Sequence, residues 1–220
     1  MTRKLFVQAI GKFVLGVAIV ALLLFVPAGT LWFWNAWLLM GVLFVPMLGA
    51  GIVLMIRNPT LLQRRLNAKE QQREQKAVVA WSGTMFLAAF VIAGLTFRFG
   101  WVRFPAPVVM LATVVFLAAY GMYAEVLREN TYLSRTVEVQ EHQKVIDTGL
   151  YGIIRHPMYA ATLLMFLSMG IILGSPVSFF ILLSYLPIIA VRIRSEEKIL
   201  EKMAAAIPSA LDGGLRLPKA

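Results

Sequence analysis

The residue types best suited to chemistry lie together in residues 149–159, which read Gly-Leu-Tyr-Gly-Ile-Ile-Arg-His-Pro-Met-Tyr. Glycine permits backbone angles and close ligand approach that other residues hinder. Pro157 disfavours helical geometry at the residue before it and suits the first turn of a helix. The sequence therefore predicts that His156 lies at the N-terminus of a helix.

A helix N-terminus offers unpaired N–H groups that can hold an anion, and Arg155 adds a positive charge beside it. Tyr151 and Tyr159 flank the same corner and could pack on an aromatic base or a cation. The same residue types also form the belt that anchors membrane proteins at the lipid headgroups. Both interpretations, a ligand site and an interfacial belt, stay open on these residues alone.

A second cluster begins at Arg192, with Glu196 and Glu197 downstream. Arg192 and Glu196 are four residues apart and therefore share one face of a helix. The two glutamates could bind hydroxyl or amino groups of a ligand, and Arg192 could reach an anionic partner. The alternative is a solvated helix end with ordinary surface ion pairs.

The chain that must position these residues is unusually apolar. Of its 220 residues 60% are hydrophobic, against about 45–50% in soluble domains. The net charge of +10 is carried by short loops between apolar runs, an arrangement that favours contact with anionic lipid headgroups over nucleic acid. Cysteine is absent and only two histidines occur, so no disulfide, thiolate site or histidine-rich metal centre is expected.

The uncharged runs predict an all-α, polytopic membrane bundle of about six transmembrane helices. Four spans are expected at residues 5–26, 31–56, 77–97 and 104–127, and residues 156–191 are expected to form a C-terminal helical hairpin broken near Gly174. The basic loop 57–76 is expected to be an amphipathic surface helix. The predicted organisation is a four-span region 1–128, a catalytic region 129–202 and an irregular tail 203–220.

Orientation follows from the loop charges. Nineteen Lys and Arg residues lie on the side of the termini, whereas only Arg98 and Arg103 lie on the other. Because positive loops stay in the cytoplasm, we expect both termini and the site to be cytoplasmic, as in a bacterial inner-membrane protein.

Residues 120–202 resemble the isoprenylcysteine carboxyl methyltransferase family, which is related to the phospholipid N-methyltransferases. The motifs that carry the resemblance are Asn130-Thr131-Tyr132, Gly149-Leu150-Tyr151, Arg155-His156-Pro157-Met158-Tyr159, and Arg192 with Glu196-Glu197.

The resemblance implies an S-adenosylmethionine-dependent methyltransferase with a lipophilic or prenylated substrate that reaches it through membrane lipid. It implies that His156, Arg192 and Glu196 act in catalysis and that Arg192 faces the substrate's anionic group. It also implies a cofactor site with no metal, formed by Gln140, Gln143, Lys144, Val145, Ile146, Tyr151, His156, Pro157, Met158, Tyr159 and Glu196.

Two other functions compete with a methyltransferase. Membrane reductases of the sterol-reductase type, which use NADPH, share a similar C-terminal architecture. A transporter would require polar or charged residues inside several spans, and these spans offer few.

Overall fold

The structure, a computed structural model, describes residues 3–57, 59–67, 73–129 and 148–206, and these form helices and turns without a strand. The helices are Arg3–Ala28 (α1), Trp34–Arg57 (α2), Pro59–Asn67 (α3), Arg73–Arg98 (α4), Ala106–Glu129 (α5), Pro157–Ile172 (α6), Pro176–Leu183 (α7) and Tyr185–Ala206 (α8), with a short 3-10 helix at Gly149–Gly152.

The predicted polytopic helical bundle is confirmed. Five helical segments in the described part of the chain are long and apolar enough to cross a membrane. They are Leu5–Ala28, Trp34–Arg57, Val78–Arg98, Ala106–Glu129 and Pro176–Lys198. The chain is therefore a multi-pass membrane protein.

The predicted C-terminal hairpin has unequal arms. Its first arm, α6, has only 16 residues, whereas the second arm joins α7 and α8 into a longer passage. At 1.5 Å per residue α6 is about 24 Å long, which is less than the hydrocarbon core of about 30 Å. The helical part of the tail extends to Ala206, and residues 207–220 lie outside the described residues.

The basic loop after α2 contains a helix, as predicted. This helix, α3, spans Pro59–Asn67 and has an amphipathic sequence. The Lys12 ammonium of α1 donates a hydrogen bond to the Leu66 carbonyl near the end of α3. Of the rest of the predicted surface helix, residues 68–72 lie outside the described residues, whereas residues 73–76 begin α4.

Aromatic side chains join the helices that carry the two sequence clusters. Phe86 of α4 and Phe166 of α6 meet edge to face with ring centroids 4.6 Å apart. Phe166 in turn packs against Tyr185, the first residue of α8, at 4.7 Å. These contacts fix α6 and α8 against one another and so determine how their ends meet.

Buried hydroxyl groups hold the turn between α6 and α7 against α4. Thr96 and Ser175 share a hydrogen bond of 2.9 Å, and Ser178 donates to the Ala89 carbonyl at 2.8 Å. Ser175 also caps α7 by accepting from the Ser178 N–H. Polar groups buried among apolar helices are stable only when paired in this way.

Helices α6 and α7 approach so closely that only glycine fits at Gly170. A Cβ there would lie 2.6 Å from the Phe179 Cα and 2.7 Å from its nitrogen. These are backbone atoms and cannot move aside without separating the helices. Small residues are the usual means of such close packing in membranes.

Gly170→Ala is therefore expected to destabilise the protein by about 1–3 kcal/mol, seen as a lower thermal unfolding midpoint in detergent micelles. Gly121→Ala is the matched control, because a Cβ at Gly121 meets nothing within 4 Å. The control should be neutral or slightly stabilising, since alanine favours helix over glycine. Equal midpoints for the two variants would contradict the proposed packing constraint.

Candidate active site

The helix that follows the His-Pro pair begins as predicted. Pro157 is the first residue of α6, and His156 precedes it with φ −125° and ψ 63°, outside helical geometry. The N–H groups of Tyr159 and Ala160 both donate to the His156 carbonyl at 3.1 Å. Proline has no N–H, so Met158 is the one residue of this turn whose N–H has no described acceptor. The helix N-terminus therefore offers an anion fewer free N–H groups than the sequence predicted.

Tyr159, Arg192 and Glu196 form a mostly buried network between α6 and α8. Arg192 Nε donates to the Tyr159 hydroxyl oxygen at 3.0 Å and to Glu196 Oε1 at 3.2 Å. The Tyr159 hydroxyl donates to the same Glu196 oxygen. The side chains of Arg192 and Glu196 are only 17% and 18% exposed, so this is not the solvated surface pair of the alternative interpretation.

This network leaves one carboxylate oxygen of Glu196 for another partner. Both described hydrogen bonds of Glu196 go to Oε1. Within the described part of the chain, no hydrogen bond reaches Oε2. A carboxylate held rigidly through one oxygen can accept from a ligand's ammonium or hydroxyl group with the other.

A second pair lies farther out at the same end of the helices. His156 Nε2 is 3.2 Å from Glu197 Oε1, and the two side chains are 33% and 49% exposed. The His156 ring also lies 5.9 Å from the Tyr159 ring, at an angle of 37°. A histidine oriented by a carboxylate can accept a proton from a reacting group, which is the pattern of a general base.

The two glutamates therefore differ in burial and in partner. Glu196 is inward and balances Arg192, whereas Glu197 is outward and pairs with His156. Glu197 belongs to the motif but not to the set of catalytic and cofactor residues that the resemblance implies. Its partner is 41 residues away in the chain, so only the packing of α6 against α8 reveals the pair.

Glu129, the last residue of α5, contacts Thr148 and Gly149, which follow residues 130–147 in the chain. The Thr148 hydroxyl donates to Glu129 Oε2 at 2.8 Å. Gly149 has a φ of +57°, and a Cβ there would lie 3.2 Å from the Glu129 Cγ. Gly149 is thus required both by its left-handed backbone and by its contact with Glu129.

The other predicted site residues differ in burial, and some of them lie outside the described part of the chain. Pro157 is buried, Met158 is half-buried and packs against the core, and Tyr151 lies half-buried in the 3-10 helix. The structure brings neither Pro157 nor Met158 into the hydrogen-bond network described above. The predicted cofactor residues outside the described part of the chain are Gln140, Gln143, Lys144, Val145 and Ile146.

The described residues contain no group of three His, Asp or Glu side chains that could hold a metal ion. The site offers instead a carboxylate with one oxygen to spare, a guanidinium beside it and an imidazole with its own carboxylate. This combination suits a ligand that carries both cationic and hydroxyl groups.

Comparison with known protein families gives one match. Residues 102–205, just under half of the chain, match the phospholipid methyltransferase (PEMT) family. No curated protein and no solved structure matches the chain significantly. The matched segment extends from the turn before α5 to the last turn of α8 and includes every site residue named above. The C-terminal half of the chain is therefore similar to a family related to the one that the motifs resemble, and this similarity indicates a membrane methyltransferase.

Proposed function

We propose that the protein is an S-adenosylmethionine-dependent methyltransferase whose acceptor is a lipophilic molecule, an isoprenylcysteine-like carboxylate or a related lipid. The proposal rests on the hydrogen bonding of the Glu196 carboxylate. Its carboxylate is fixed by Arg192 and Tyr159 through one oxygen, and the other oxygen has no described partner. This carboxylate lies within the segment that matches the phospholipid methyltransferases.

The side chains of the site are chemically suited to S-adenosylmethionine. S-adenosylmethionine supplies a methyl group already activated on a sulfonium, so the protein has to bind, align and exclude water rather than activate a leaving group. Glu196 can accept from the donor's ammonium or ribose hydroxyls. The remaining contacts are proposed for Gln140, residues 143–146, Tyr151 and residues 156–159.

Tyr159 has a second proposed role besides the cofactor contact that the resemblance implies. Its side chain is 8% exposed, and its hydroxyl is engaged by both Arg192 and Glu196. We propose that Tyr159 positions the Glu196 carboxylate, while its ring supports His156.

Arg192 is proposed to face the acceptor's anionic group. With Glu196 beside it the pair is neutral as a whole, so Arg192 has little net attraction for an anion. When Glu196 binds a cationic group, its charge is shared, and Arg192 regains attraction for an anionic acceptor. The pair thereby couples binding of the two substrates at adjacent positions.

His156 serves as base only for acceptors that require one. A carboxylate is already nucleophilic at neutral pH, whereas a protonated amine must lose a proton before it can attack. His156, whose ring is held by Glu197, is proposed to accept that proton.

The short helix α6 explains how a lipid acceptor reaches the site. At its far end, Gly174 accepts a hydrogen bond from Phe104 N–H, beside the loop that carries Trp101 and Arg103. If these residues mark one membrane boundary, a helix of about 24 Å brings His156 about 6 Å below the other. The site then lies just inside the hydrocarbon boundary, where an acceptor dissolved in the bilayer can enter it, on the face proposed to be cytoplasmic.

Calorimetric titration of the purified protein tests the proposal. S-adenosylmethionine should give saturable binding, whereas NADPH should give none. The reverse result would favour a reductase and overturn the proposal. Methyl-labelled donor then identifies the acceptor, by comparing label transfer to a farnesylated cysteine derivative with transfer to phosphatidylethanolamine.

A further inference from the structure

An apolar groove lies at the end of the bundle opposite the candidate active site. It follows the last two turns of α1 and the turn after it, is open on its outer side, and has a volume of about 500 Å³. It is lined by Ala21, Leu22, Phe25, Val26, Gly29, Thr30 and Leu31. Such a wall is suited to an alkyl chain.

The guanidinium of Arg98 lies beside Gly29, one of the residues that line this groove. A Cβ on Gly29 would be 3.6 Å from the Arg98 Cζ, so the charged group rests directly on the Gly29 backbone. Arg98 is exposed, and its Cζ lies 5.8 Å from the Phe99 ring. Thr30, beside it, accepts a hydrogen bond from Trp32 N–H and can donate its own hydroxyl hydrogen.

Among the residues that the structure describes, no carboxylate pairs with this guanidinium. The three connections at this end, residues 28–34, 98–106 and 172–176, contain two arginines and no Asp or Glu. Arg103 is already engaged, since it donates to the Phe97 carbonyl at 2.9 Å and its Cζ lies 4.7 Å above the Phe97 ring. No described ion pair includes Arg98.

We propose that this groove is a phospholipid-binding site, with an acyl chain against α1 and the lipid phosphate on Arg98 and Thr30. The apolar surface is followed by the Arg98 guanidinium, which has no described ion pair. An acyl chain is followed by a phosphate in the same order in a phospholipid. Exposed tryptophans at the same level, among them Trp32 and Trp34, are typical of the headgroup region. The site goes beyond the proposed function, because it lies at the other end of the helices from Glu196.

Native mass spectrometry of the full chain in detergent, titrated with phosphatidylglycerol, tests this site. Arg98→Gln should weaken binding of the first lipid about tenfold, since a charge-assisted hydrogen bond is lost. Arg98→Lys should retain most of the affinity. Val26→Trp, which fills the groove, should weaken binding without touching the charge.

Arg103→Gln is the matched control and should change the affinity by less than about twofold, because Arg103 already has partners within the chain. Diacylglycerol with the same acyl chains should bind more weakly and be insensitive to Arg98. Equal losses for the two arginine variants, or equal binding of diacylglycerol, would overturn the proposal. A Val26→Trp variant that keeps its lipid but changes from dimer to monomer would also overturn the proposal. That result would mean that a second copy of the chain, and not a lipid, occupies the groove.

Discussion

Replacement of Glu196 by glutamine is expected to lower kcat/KM for methyl transfer about a hundredfold. Glutamine preserves the size of the side chain and can still accept from Tyr159. It removes the negative charge that balances Arg192 and that would bind the donor's ammonium or hydroxyls. The affinity for S-adenosylmethionine, measured by calorimetry, should fall with the rate.

Glu197→Gln provides a control of identical chemistry one residue away. Glu197 is about half exposed and contacts His156 rather than the buried network. For a carboxylate acceptor, which needs no base, its loss should change kcat/KM by less than about threefold, as expected for an exposed pair. If Glu197→Gln were as damaging as Glu196→Gln, or if Glu196→Gln kept full donor affinity, the role assigned to Glu196 would be wrong.

The parts of the site that the sequence predicted are the local ones. Proline restricts its own backbone and that of the preceding residue, so the start of α6 at Pro157 follows from two residues. The pairing of Arg192 with Glu196 follows from their spacing on one helix, and the structure places them 3.2 Å apart. Neither feature depends on how the helices pack.

The parts that the sequence did not predict depend on packing between helices. Nothing local indicates that His156 meets Glu197 or that Thr96 bonds to Ser175, 79 residues away. The close contact at Gly170 is equally hidden, because the sequence does not tell which glycine faces a neighbouring backbone. Each of these features requires the positions of two helices, which periodicity alone does not fix.

The number of spans illustrates the same limit. Uncharged runs predicted about six transmembrane helices, whereas five segments in the described part of the chain are long and apolar enough to span and α6 is a shorter apolar helix. The break near Gly174, where φ is +74°, was predicted, but apolar length did not reveal that α7 and α8 form one passage of 23 residues, Pro176–Lys198. That turn is held by the Asn35 side chain, which donates to the Ile172 carbonyl at 2.7 Å.

Arg192→Met is expected to lower the free energy of unfolding in micelles by about 3 kcal/mol. The substitution leaves the Glu196 carboxylate mostly buried with only the Tyr159 hydroxyl as a described donor. An uncompensated charge in such a position is far more costly than the lost contact alone. Arg194→Met, an exposed position on the same helix, should change stability by less than about 0.5 kcal/mol.

The double variant Arg192→Met with Glu196→Met separates stability from activity. Removing both charges should restore stability to within about 1 kcal/mol of the wild type, because an apolar pair can replace a buried ion pair. Methyl transfer should remain lost, since the groups proposed to bind donor and acceptor are both absent. A double variant as unstable as Arg192→Met would show that the unpaired Glu196 charge is not the cause. Recovery of stability without recovery of activity would establish that this buried pair is retained for its chemistry and not for the fold.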